Sequence, residues 1–138
     1  MDQELKEFFI KFNQNRPLRV LCVDDDKVIQ FTTQRAFVIA GFVTDMAYDG
    51  LQALDLIRHS FQKYDFILMD IHMPNMDGIE ATKIIRTMKN YENVPIFALT
   101  GDMTMEAKLK VVSAGMNEYF NKPVQMDDVL NTIKSYVL

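Results

Sequence analysis

The 138-residue chain predicts an α/β domain in which a five-stranded parallel sheet is enclosed by helices on both faces. Three observations carry this expectation. Apolar runs without alternation, Val20-Leu21-Cys22-Val23, Phe66-Ile67-Leu68-Met69 and Ile96-Phe97-Ala98-Leu99, read as strands buried on both faces. Between the runs lie stretches of helical spacing, clearest in Leu51, Leu54, Ile57 and Phe61 and in Ala81, Ile84, Ile85 and Met88. Gly41 and Gly115 each follow such a stretch and precede a strand, where helices commonly end.

In chain order, strand 18–23 is the first apolar run, and helix 26–40 starts behind Asp26, which suits an N-cap. Strand 42–47 contains Thr44 and Asp45, so it belongs at a sheet edge. Helix 50–62 carries the Leu51 stripe, strand 65–70 is the second run, and helix 77–90 carries the Ala81 stripe. Strand 94–99 is the third run, helix 103–115 closes on Gly115, and strand 117–121 carries Asn117, Glu118 and Asn121 and takes the other edge. Helix 125–137 completes the fifth strand–helix unit. Apolar central strands and polar edges fit a flavodoxin-like three-layer α/β/α fold in the order 2-1-3-4-5, with its switch point between the first and third strands.

Residues 1–16 lie outside this repeat. Leu5, Phe8, Phe9 and Phe12 fall at helical spacing behind Asp2, and Pro17 separates them from the domain at 17–138. The segment reads as an extra helix packed on the domain, as a dimerisation helix for a homodimer, or as a connector from a larger protein. The sequence leaves these open.

Composition narrows the function. Hydrophobic residues at 49% and charged residues at 25% are ordinary for one globular domain. A net charge of -4 without a basic run argues against nucleic acid or an anionic membrane as partner. Cys22 stands alone inside the first strand, so no disulfide forms, and a cytoplasmic setting fits. The N-terminus Met1-Asp2-Gln3-Glu4 is acidic, unlike a signal peptide, and no stretch approaches the ~18 apolar residues of a membrane span.

Chemistry gathers where the apolar runs stop. Asp24, Asp25 and Asp26 follow the first strand, Asp70 ends the third, Thr100 follows the fourth, and Lys122 follows the fifth. In a parallel sheet these positions share one edge, at the crevice where open α/β folds bind ligands. Adjacent carboxylates aimed into one crevice repel unless a cation joins them, and an all-oxygen set suits Mg²⁺. Asp70 is then either a metal ligand alone or a nucleophile towards phosphorus. Lys122 and Thr100 supply an ammonium and a hydroxyl for phosphoryl oxygens.

These residues closely resemble the receiver domain of two-component response regulators. The matching stretches are Val23-Asp24-Asp25-Asp26, Leu68-Met69-Asp70 with the following loop to Gly78, Ala98-Leu99-Thr100-Gly101 and Tyr119-Phe120-Asn121-Lys122-Pro123. The resemblance implies a signalling phosphoacceptor rather than an enzyme with a separate substrate. Asp70 would accept a phosphoryl group from a histidine kinase or histidine phosphotransfer protein. Asp25, Asp70 and the main-chain carbonyl of His72 would hold Mg²⁺ directly, and Asp24 through a water. Thr100 and Lys122 would hold phosphoryl oxygens, with Thr100 and Tyr119 as switch residues acting on the surface of 103–115, 117–121 and 125–137. It also implies a cis Lys122–Pro123 peptide. Because the chain stops soon after Lys122, output through protein contacts or phosphotransfer is expected.

Two rival readings use the same residues. A haloacid-dehalogenase-type phosphatase would employ Asp24 as nucleophile and Asp26 as acid/base, and would leave Asp70 idle. A flavin or nucleotide module would need a glycine-rich loop after the first strand, where three acids stand instead. His72 and Asp102 flank the approach to Asp70 and are expected to tune the lifetime of an acyl phosphate.

Overall fold

The computed structural model describes all 138 residues. The elements run α1 (Gln3–Phe12), β1 (Arg19–Val23), α2 (Lys27–Ile39), β2 (Val43–Ala47), α3 (Gly50–His59) and β3 (Phe66–Asp70). They continue through α4 (Gly78–Ile85), β4 (Ile96–Thr100), α5 (Met105–Ala114), β5 (Glu118–Asn121) and α6 (Met126–Val137). All strand pairs are parallel and the order is β2-β1-β3-β4-β5, with the two polar strands at the edges as expected.

Side chains alternate across a strand, so each apolar run feeds two cores. Leu21, Val23, Ile67, Met69, Ile96 and Ala98 point to one face, where Ala53 and Leu54 of α3, Ala81 and Ile85 of α4 and Val111 of α5 cover them. Val20, Cys22, Phe66, Leu68, Phe97 and Leu99 point to the other, under α1, α2 and α6. This is why the three central strands carry polar residues only at their ends, at Arg19, Asp70 and Thr100.

The N-terminal segment forms a helix within this second layer. Asp2 caps α1 through the Leu5 amide at 2.9 Å, and Leu5 and Phe9 are buried. The Phe9 ring lies 5.0 Å from that of Phe42. At the other end, the buried Asn13 amide donates to the Ala40 carbonyl at 3.0 Å and its oxygen accepts from the Leu18 amide at 2.9 Å. One side chain thus ties the ends of α1 and α2 to the start of β1.

Two expected helices are shorter than their periodicity suggests. The helix expected over 77–90 stops at Ile85; Arg86 caps it with a helical backbone, and its guanidinium donates to the carbonyls of Gly115, Tyr91 and Val94 and to Asn117 Oδ1. Residues 87 and 88 follow as a tighter turn, their amides bonding Ile84 and Ile85. The helix expected over 50–62 stops at His59; Leu54 and Ile57 are buried, whereas Leu51 and Phe61 stand in solvent. Phe61 lies beyond the helix end, so its place in the stripe carries no packing.

Gly115 and Gly78 fix the ends of two helices. Gly115 ends α5 at φ 100, a left-handed conformation that side chains disfavour. Gly78 opens α4 directly against β3, and a Cβ there would run into the Asp70 carbonyl oxygen.

Phe9→Ala removes a fully buried ring and is expected to cost ~3–5 kcal/mol of unfolding free energy, read from urea denaturation. A loss as small as that of a surface substitution would show that α1 does not belong to the cooperative core.

Candidate functional site

Asp24, Asp25, Asp70, Thr100 and Lys122 all sit at the carboxyl edge of the sheet, around the β1/β3 switch point. Asp70 and Thr100 end β3 and β4, Asp24 and Asp25 follow β1, and Lys122 follows β5, so the topology delivers them there. One oxygen from each of Asp24, Asp25 and Asp70 lies within 4.8 Å of the others. Asp24 and Asp70 are buried, at 1% and 3% exposure, while Asp25 is exposed on the rim.

Lys122 binds this cluster together. Its Nζ lies 2.9 Å from Asp70 Oδ2 and 3.5 Å from Asp24 Oδ2. Asp70 Oδ1 accepts the His72 amide at 3.3 Å, and Asp24 Oδ1 accepts the Asp26 amide at 2.9 Å. Asp24 Oδ2 is buried with no hydrogen bond. An acceptor left without a donor among carboxylates is the donor set of a hard cation, and Mg²⁺ fits it.

The electrostatics follow from burial. Desolvation pushes the Asp70 carboxyl up from 3.8 to about 6, helped by the charge of Asp24 and opposed by Lys122 and the His72 amide. For Lys122, burial pulls the ammonium down, but the Asp70 and Asp24 carboxylates outweigh it and hold it above the ordinary lysine value.

The remaining expected residues are placed as follows. Asp26 caps α2, its carboxylate accepting the Val28 and Ile29 amides at 2.9 and 3.1 Å. This occupies the group that the phosphatase reading needs as acid/base. The Thr100 hydroxyl is engaged with the Asp102 backbone, accepting its amide at 2.9 Å and lying 3.1 Å from its carbonyl. Tyr119 on β5 is 38% exposed, with Lys108 Nζ 5.1 Å over its ring. The His72 side chain is exposed, and with Thr100, Asp102 and Lys110 it lines a cavity of about 170 Å³ beside the cluster. The Lys122–Pro123 peptide is cis.

One pair was not anticipated. Asp49 Oδ2 accepts the Asn75 amide at 2.7 Å, joining the α3 start to the β3–α4 loop. An Asp directly before a helical stretch is an N-cap signal that marks Asp49; nothing local marks its partner.

Comparison with known proteins agrees with this geometry. Residues 20–134 match the family model of the response regulator receiver domain. The CAI-1 autoinducer sensor kinase/phosphatase CqsS of Vibrio cholerae is 37% identical over 86% of this chain, a match that spans only 17% of that relative. The chemotaxis response regulator CheY4 of Vibrio cholerae superposes with a TM-score of 0.80 at 29% identity, covering 86% of this chain and 98% of that one. The receiver domain of the sensor histidine kinase PA1611 of Pseudomonas aeruginosa, solved with magnesium in its active-site cleft, gives 0.79 at 31% identity, covering 88% and 98%. No helix is long and apolar enough to cross a membrane.

The Asp70 shift has a testable sign. Its folded-state value is raised, so between about pH 4 and 6 the folded chain binds more protons than the unfolded one. The contribution of this carboxyl to stability therefore falls as pH rises through that window. Asp70→Asn cannot ionise and escapes the penalty. In metal-free buffer its thermal midpoint is expected above wild type at neutral pH, the gap closing towards pH 4. An equal gap at both ends would show that Asp70 titrates normally.

Proposed function

We propose, from the premise that this chain belongs to the response regulator receiver domain family, that Asp70 takes a phosphoryl group from a phosphohistidine and that the charge it gains redirects a protein-binding surface. The observation that carries this reading is the buried Asp70 carboxylate, 2.9 Å from Lys122 and clustered with Asp24 and Asp25 at the carboxyl edge of the sheet.

An Asp70 oxygen attacks phosphorus, the P–N bond to the donor imidazole breaks as the O–P bond forms, and the imidazole nitrogen leaves with the electron pair and is protonated. Asp25, Asp70 and the His72 carbonyl would hold Mg²⁺, and Asp24 would reach it through a water. Bound there, the ion offsets the repulsion between the carboxylate and the phosphoryl oxygens. Lys122 already faces Asp70 and Asp24, so its ammonium is placed to take up one of the new oxygens. Asp24, 3.5 Å from the same ammonium, helps to keep it at the site.

The switch follows from where Thr100 and Tyr119 stand. Thr100 spends its hydroxyl on the Asp102 backbone, and the Tyr119 ring lies outside. A phosphoryl oxygen competes for that hydroxyl, and movement of Thr100 opens space for Tyr119. The populations of two states then shift on the face of α5, β5 and α6. Met105, Leu109 and Val112 stand exposed on α5, whose Lys108 lies over the Tyr119 ring, which suits a protein-contact surface, including one between two copies of the chain. The donor is a histidine kinase or a histidine phosphotransfer protein, acting in the cytoplasm.

Incubation with phosphoramidate and Mg²⁺ is expected to add one phosphoryl group to the intact mass of the wild type, and none to Asp70→Asn or to a chelated sample. Lys122→Ala is expected to be labelled, with smaller chemical-shift changes at Tyr119. Undiminished labelling of Asp70→Asn would overturn the assignment.

A further inference from the structure

The β3–α4 loop carries the chemistry around Asp70, and it is fastened from outside by two consecutive bonds. Asp49 is 7% exposed and uses both oxygens: Oδ1 accepts the Gln52 amide at 2.8 Å and caps α3, while Oδ2 accepts Asn75 Nδ2 at 2.7 Å. The next residue on each side adds a second bond, from the Gly50 amide to the Met76 carbonyl at 3.1 Å. A Cβ on Gly50 would fall 2.8 Å from Met76 Cγ and from its carbonyl oxygen, so loop and helix start meet backbone to backbone.

Asn75 holds φ 68, a left-handed conformation that a non-glycine residue keeps only with support. Its bond to Asp49 is charge-assisted and half-buried, and it selects that conformation. The other end of the loop is pinned by Ile71, whose amide bonds Leu99 at 3.1 Å and whose carbonyl accepts Gly78 at 2.9 Å. Between the two fastenings lies His72, exposed on its side chain, with its amide on Asp70 Oδ1. The Gly78 bond holds the Ile71–His72 peptide from its carbonyl side, and the Asn75 fastening bounds the stretch that follows His72.

We infer that Asp49 and Asn75 are positioning residues that set the His72 peptide against Asp70, and so preform the main-chain part of the Mg²⁺ site. The metal part of this inference rests on the function proposed above. Neither residue touches the phosphoryl group or the ion; both act through the backbone of one loop, as an outer shell orients ligands elsewhere.

Three variants test it. Asn75→Gly keeps access to the left-handed backbone and removes the donor. Asp49→Ala removes the acceptor together with the α3 cap. The double variant Asp49→Asn with Asn75→Asp rebuilds the bond with donor and acceptor exchanged and keeps a capping side chain. Calorimetric titration of Mg²⁺ into the unphosphorylated protein is expected to show dissociation constants about tenfold weaker for Asn75→Gly. Hydrogen exchange of the His72 amide in metal-free protein is expected to quicken in the same variant, and both readouts to return towards wild type in the double variant. Asn75→Gly with wild-type Mg²⁺ affinity and wild-type His72 exchange, whatever its thermal midpoint, would overturn the clamp. A wild type that binds no Mg²⁺ would overturn the metal reading instead, and the His72 amide would still decide whether the clamp exists.

Discussion

Two carboxylates buried side by side are the constraint from which the rest of the site takes its shape. Asp24 and Asp70 are both withdrawn from water, and an ionised group in such surroundings costs several kcal/mol unless something compensates it, in the range of ~3–5 when a partner is removed. Lys122 compensates both at once, at 2.9 and 3.5 Å. One ammonium cannot satisfy two carboxylates completely. The remainder shows in the raised Asp70 carboxyl and in the unbonded Asp24 oxygen. That residual imbalance is what suits the acidic cluster to a hard cation.

The fold supplies this arrangement at little extra expense. Parallel strands all present their carboxyl ends on one edge, and the crossover from β1 to β2 on one side and from β3 to β4 on the other opens the crevice between β1 and β3. Asp24 and Asp70 therefore meet because of strand order, while Lys122 reaches them from the edge strand β5, two strands away from β3. The connecting loops are short and bonded at both ends, so the acids are carried on rigid backbone.

Much of this was legible in the residues. Strand positions followed from apolar runs because burial on both faces forbids polar residues, and edge strands followed from Thr44, Asp45 and Glu118 for the complementary reason. The acids, Thr100 and Lys122 were legible because their chemistry is conspicuous where a strand stops. The early end of α4 was not, since the chain behind it turns back at Asn90, with φ 74, and is held by Arg86 bonds to carbonyls of residues 91, 94 and 115, contacts to which helical periodicity is blind. Phe61 misled for the opposite reason: a residue can keep the spacing of a helix after the helix has ended. The Asp49–Asn75 bond joins loops 26 residues apart, and no local pattern announces it.

The first helix has a consequence for how the molecule can be divided. Family resemblance begins at residue 20, yet Leu5 and Phe9 share a core with Val20, Phe37, Phe42 and Ile133. A polypeptide trimmed to the recognisable segment would present that aromatic floor to water and would lose the Asn13 bridge beneath it. The buried core of this chain therefore begins earlier in the sequence than the residues that match the family.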